Sequence, residues 1–164
     1  RFSEDLNFYS ASIEKIEKNL EIELKKHGLF IKKFKRTKNL IFCNISDQEV
    51  EIRIEINFAK KVKFVLAKYE RIDGSRMNVF VLSPEDMFLE KLNAYRNRRF
   101  IRDIYDLFHL LNYIKDEEKI CTHLKHFINE IKPPVDEKIL KSLVYIGSIP
   151  SFKQIMEALK YRCK

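Results

Sequence analysis

The stretch VEIRIEINF, Val50 to Phe58, alternates apolar and polar residues without a break. Val50, Ile52, Ile54, Ile56 and Phe58 fall on one face and Glu51, Arg53, Glu55 and Asn57 on the other, the pattern of a strand with one buried face. Two strand-like runs precede it, Leu29 to Arg36 and Asn39 to Ile45, set off by turn signals at Thr37-Lys38 and Ser46-Asp47. Further upstream, Ile13, Ile16, Leu20 and Leu24 recur at helical spacing, so Ser12 to Lys26 reads as an amphipathic helix ended by His27-Gly28. Downstream, the short run Met77 to Leu82 meets Ser83-Pro84-Glu85-Asp86. Ser83 reads there as an N-cap and Pro84 as the first residue of a helix reaching about Arg96. Beyond it the apolar stripes are all helical: Ile101, Ile104, Tyr105, Phe108 and Leu111, then Ile120, Leu124, Phe127, Ile128 and Ile131, then Ile139 to Tyr145 and Phe152 to Leu159. Strands between helices, followed by helices alone, predict an α+β fold with a helical C-terminal half.

A chain of 164 residues with 45% hydrophobic content can bury a sizeable core and is not a disordered one. Its 32 Lys and Arg outweigh 24 Asp and Glu, a formal charge of +8, which suits phosphate-bearing partners or, equally, a solubilising lysine surface. Cys43, Cys121 and Cys163 are odd in number and scattered, so no disulfide framework is expected and a reducing cytoplasm is. No apolar run approaches the roughly 20 residues of a membrane span, and no signal peptide is visible. The start at Arg1 leads us to expect further residues upstream.

Several patterns carry chemistry. In RFSEDLN, Arg1 to Asn7, Asp5 and Asn7 share a strand face backed by Leu6 and Phe8, as in a paired-acid metal site whose second acid is an amide. Glu55, near the end of its strand, would complete a set of hard oxygen ligands; the plainer reading is a solvated strand face. In LSPEDMFLEKLNAYRNRRFIRDIYDLFHLL, Leu82 to Leu111, Lys91 lies within an amphipathic helix, and Arg102 and Asp106 are spaced as neighbours on the next. These could be a surface lysine and an ordinary ion pair. Against that, Arg96, Arg98, Arg99 and Arg102 gather between two helices, where guanidinium groups could meet phosphate oxygens. KKHGLFIKKFKRTK, Lys25 to Lys38, could track an RNA backbone, although an edge strand guarded by lysines is preferred. Cys121, His123 and His126 do not share a helix face and have no fourth ligand, so they are not read as a zinc site.

Arg1-Phe2-Ser3-Glu4-Asp5-Leu6-Asn7-Phe8, Ile52-Arg53-Ile54-Glu55-Ile56-Asn57, Leu82-Ser83-Pro84-Glu85-Asp86 with Glu90-Lys91-Leu92-Asn93-Ala94, and Arg102-Asp103-Ile104-Tyr105-Asp106-Leu107 occur in that order. Together they resemble the AbiEii/AbiGii toxin family of nucleotidyltransferase-like proteins. The resemblance implies a minimal nucleotidyltransferase core, a mixed sheet flanked by helices over residues 1–95, followed by a helical region over 96–164. It implies Mg²⁺-dependent transfer of a nucleotidyl group from a nucleoside triphosphate to an acceptor such as tRNA or another RNA, and a cognate antitoxin as partner. By position, Asp5, Asn7 and Glu55 stand at the metal ligands, and Asp5, Glu55, Lys91 and Asp106 at the catalytic positions. Ser3, Lys91, Arg99, Arg102 and Asp103 fall on the substrate side. Two departures are plain: the glycine turn that precedes the metal motif in the family is not in this chain, which starts too late to include it, and Asn7 replaces an Asp. The alternative they favour is a member that binds nucleotide, RNA or a protein without catalysis.

Overall fold

The computed structural model describes residues 5–47, 49–58 and 63–163, apart from the side chains of Ile13 and Glu14. By contact the chain divides into two compact units, and among the described residues the boundary falls between Lys63 and Phe64.

The first unit is a four-stranded mixed sheet with one helix. Its elements are β1 (Asp5–Ser10), α1 (Ile13–Lys26), β2 (Phe30–Arg36), β3 (Leu40–Ser46) and β4 (Glu51–Phe58). The strand order is β1-β4-β3-β2, with β1 parallel to β4 and the other pairs antiparallel. The alternation of Val50 to Phe58 determines which face is buried. Ile54 and Ile56 join Ile41, Cys43 and Ile45 in the core, and Ile16, Leu20 and Leu24 of α1 pack against them. Val50 precedes the strand and is exposed. Gly28, at φ 73°, ends α1: the N–H of Leu29 reaches back to the Leu24 carbonyl at 3.0 Å, a reversal that a side chain at Gly28 would strain. β2 is an edge, and Lys32, Lys33 and Lys35 along it make pairing with another strand costly. Cys43 is fully buried, and desolvation pushes its thiol pKa up, so it is poorly reactive.

The second unit opens with a hairpin, β5 (Phe64–Glu70) and β6 (Arg76–Leu82). Helices follow: α2 (Pro84–Arg98), α3 (Ile101–Leu110), α4 (Glu117–Glu130), α5 (Leu140–Leu143) and α6 (Phe152–Arg162). The Ser83 hydroxyl accepts the Asp86 N–H at 3.1 Å with Pro84 in the first turn, so the start of α2 is the expected one. The helical core includes Phe88, Leu92, Ile101, Ile104, Ile120, Leu124 and Leu159, with the Tyr95 and Phe127 rings edge to face at 5.7 Å. Each large apolar side chain fully buried there contributes about 1.5–3 kcal/mol. Glu85 accepts the N–H groups of Lys115 and Asp116 at 2.9 and 3.2 Å and so ties the turn before α4 to the start of α2. Burial alone would raise its pKa, but those N–H donors prevail and hold it below the ordinary glutamate value.

Two expectations are corrected. The segment Ile139 to Tyr145 is helical only over a 3-10 turn and the four residues of α5, and Val144 is already extended. The cysteines are not all unpaired: Cys121 on α4 and Cys163 at the end of α6 form a disulfide, with Cα atoms 5.4 Å apart. They are 42 residues apart in sequence, and the packing of α6 against α4 brings them together. No helix among the described residues is long and apolar enough to cross a membrane.

Under denaturing, non-reducing conditions a thiol reagent therefore titrates one cysteine, and three after reduction. Reduction lowers the unfolding free energy by about 2–4 kcal/mol, because it frees a long loop in the unfolded chain. Three reactive thiols before reduction would refute the pairing.

Candidate functional site

In the first unit, the parallel register pairs Asp5 with Arg53 and Asn7 with Glu55. Register partners in adjoining strands project to the same side, so all four side chains stand on the face opposite Ile54 and Ile56. The Arg53 guanidinium donates to the Asp5 carboxylate, and its Nε lies 3.8 Å from Glu55 Oε1. Arg53 thus stands between the two acids, a contact that the alternation pattern alone did not predict. Leu6 and Phe8 back this face as expected, but β1 is an edge strand and both remain about half exposed.

The second unit holds the other cluster. Asp103, at the start of α3, has no exposure to solvent. Arg98, the last residue of α2, meets it as a fork, with Nε to Oδ2 and Nη2 to Oδ1 both at 2.7 Å. Such bidentate, charge-assisted contacts are what make a buried carboxylate tolerable. Lys91, about two turns earlier on α2, places Nζ 2.6 Å from Asp106 Oδ2 and 3.7 Å from Asp103 Oδ1. The sequence pairs Arg102 with Asp106. In the structure it is Lys91 that Asp106 meets, and the Arg102 guanidinium lies over the Phe100 ring at 5.5 Å. The reason is helical phase: Asp103 and Asp106, three residues apart, share the face of α3 turned to α2. Arg98 was legible only as one member of a basic cluster, because its partner lies across a two-residue link.

The remaining candidates are dispersed. Arg99 caps α2 and lines a pocket with Arg96 and Lys132. Ser3 lies outside the described residues. Cys121 is committed to its disulfide, and His126 pairs with Glu130 at 3.2 Å.

A divalent cation would find hard donors on the β1–β4 face: two carboxylates and the amide oxygen of Asn7. Those donors fit Mg²⁺ by type. No cluster of three His, Cys, Asp or Glu suited to a metal occurs among the described residues. With Arg53 between Asp5 and Glu55, the face carries little net negative charge.

Comparison with known proteins matches residues 1–145 to the family described as nucleotidyl transferase AbiEii toxin, type IV toxin–antitoxin system. No curated protein matches the chain. Among solved structures, JHP933 from Helicobacter pylori is similar at 22% identity and a TM-score of 0.53, over 99% of this chain and 73% of that one. An H. pylori protein provisionally assigned as a nucleotidyltransferase is similar at 20% identity and a TM-score of 0.49, over 99% and 76%. At these identities the likeness to JHP933 concerns the fold.

Replacing Arg98 with Ala leaves the buried Asp103 without its fork and lowers the unfolding free energy by about 3–5 kcal/mol in urea denaturation. Lys91→Met, which leaves the Arg98–Asp103 fork intact, costs about 1 kcal/mol or less. Equal losses would mean that Lys91 holds the fold together as firmly as Arg98 does.

Proposed function

Because the chain belongs to the AbiEii family of nucleotidyl transferase toxins of type IV toxin–antitoxin systems, we propose that it transfers a nucleotidyl group from a nucleoside triphosphate to an RNA acceptor such as tRNA, with Mg²⁺ as its cofactor. The observation that carries this reading is Lys91, a cation aimed by Asp106 at 2.6 Å and by the buried Asp103 at 3.7 Å. A lysine positioned in this way suits a triphosphate better than a merely solubilising one does.

The roles follow from the chemistry. Lys91, with Arg102 and the residues about it, neutralises charge on the departing pyrophosphate. Asp103 positions Lys91, and Asp106 sets where its ammonium points. Glu55 accepts the proton of the acceptor hydroxyl as that oxygen bonds to the α-phosphorus and the bond to pyrophosphate breaks. Mg²⁺ held by Asp5, Asn7 and Glu55 would supply charge neutralisation at the triphosphate. Ser3, Arg99 and Asp103 complete the substrate side. Residues 1–95 form the nucleotidyltransferase core in this reading and 96–164 its helical region, and the protein works in the cytoplasm with a cognate antitoxin, a placement that rests on the family and no longer on unpaired cysteines, since Cys121 and Cys163 are bonded.

A second reading has support of its own. Asn7 brings no charge to the metal face, and Arg53 already occupies the space between Asp5 and Glu55. A member so altered would bind nucleotide, RNA or a protein without transferring anything.

Incubation of the protein with each α-labelled nucleoside triphosphate, Mg²⁺ and total tRNA separates the two. Transfer predicts labelled tRNA, reduced about 10²-fold or more by Asp5→Ala, Glu55→Ala or Lys91→Met. Absence of label in the wild type, with triphosphate still bound, would establish the second reading. Full activity in all three variants would remove both site assignments.

A further inference from the structure

Arg99 is the one non-glycine residue with positive φ among the described residues, at φ 54° and ψ 39°. It caps α2 where glycine fits without strain, and a residue held in that conformation points to a use for its side chain. That side chain is half-buried and lines a pocket of about 330 Å³ with Arg96, Lys132 and Phe127.

The pocket is built rather than incidental. The Tyr95 hydroxyl donates to the Lys132 carbonyl at 2.8 Å, and the Val135 N–H donates to the Arg99 carbonyl at 3.0 Å. These bonds fix the segment after α4 against the end of α2, so the rim is held by backbone. The Arg96 guanidinium lies over the Phe127 ring at 5.7 Å. Glu130, the acid in the lining, is paired with His126. Among the described residues, none of Arg96, Arg99 and Lys132 comes within ion-pair distance of a carboxylate. Three cations against the single carboxylate of Glu130 leave the pocket with net positive charge, which favours an anion. The basic surface continues across the link to α3, where the Arg102 guanidinium lies 5.5 Å from the Phe100 ring, while Arg98 beside it is held by Asp103. A continuing row of guanidiniums over aromatic rings suits a chain of phosphates better than one free ion.

We propose that this pocket receives a backbone phosphate of single-stranded RNA and so positions the acceptor strand. The proposal rests on the RNA-acceptor reading above and assigns Arg99 to the acceptor rather than to the triphosphate.

Fluorescence anisotropy of a labelled single-stranded oligoribonucleotide, across a salt series with the full chain, tests it. Arg99→Gly should bind several-fold more weakly, with the slope of log affinity against log salt reduced by about 0.7. Its Tm should be unchanged or raised, because glycine suits the left-handed position. Arg96→Ala with Lys132→Ala should reduce the slope by about 1.4. Wild-type affinity and slope in these variants would overturn the proposal, as would absence of RNA binding by the wild type at low salt. Displacement of the RNA by millimolar inorganic phosphate would identify a free-anion site and overturn the strand assignment. Triphosphate binding by the wild type, measured in the same buffer, reports on the transferase reading alone, so the two failures are distinguishable.

Discussion

A carboxylate shut off from water, Asp103, is the constraint on which the second unit's chemistry depends. Burying a charge costs several kcal/mol unless close, directed partners offset it. Arg98 supplies two such contacts, and they lock the Asp103 rotamer and the short link between α2 and α3 at once. With the helices held in that phase, Asp106 comes to face Lys91, and the lysine is gripped by two acids without being sealed off. Its side chain keeps 29% exposure, enough to meet a ligand. The rigid part of the arrangement is thus the Arg98–Asp103 fork, and the accessible part is Lys91.

The first unit reaches its own arrangement by a different route. A period-two sequence on β4 puts its isoleucines against α1 and its acids on the opposite face. The parallel pairing of β1 then sets Asp5 and Asn7 beside Arg53 and Glu55. Had β1 slipped by one residue, Leu6 and Phe8 would take that face instead. Register therefore places the oxygen donors together, and Arg53 sets their charge.

Much of this was legible in the sequence where a local rule governs. The alternation of Ile52 to Phe58, the Ser83-Pro84 helix start and the lysine-guarded edge strand all follow from patterns within a few residues. What was not legible depends on partners distant along the chain. Arg53 could be placed beside Glu55 but not against Asp5, 48 residues away. The Cys121–Cys163 bond closes 42 residues through the packing of helices. β5 passed unread because Phe64 to Glu70 lacks alternation, although Asp73-Gly74 signals the hairpin that pairs it with β6. The Arg102–Asp106 spacing misled because a permissible i,i+4 pair lost to an interhelical one.

The central claim is that Lys91 is aimed at a triphosphate by acids that Arg98 holds in place. Calorimetric titration of the wild type and Lys91→Met with nucleoside triphosphates, with and without Mg²⁺, addresses it most directly. The account predicts Mg²⁺-dependent binding by the wild type that Lys91→Met abolishes while its unfolding curve stays near that of the wild type. Equal binding by the two proteins would contradict it.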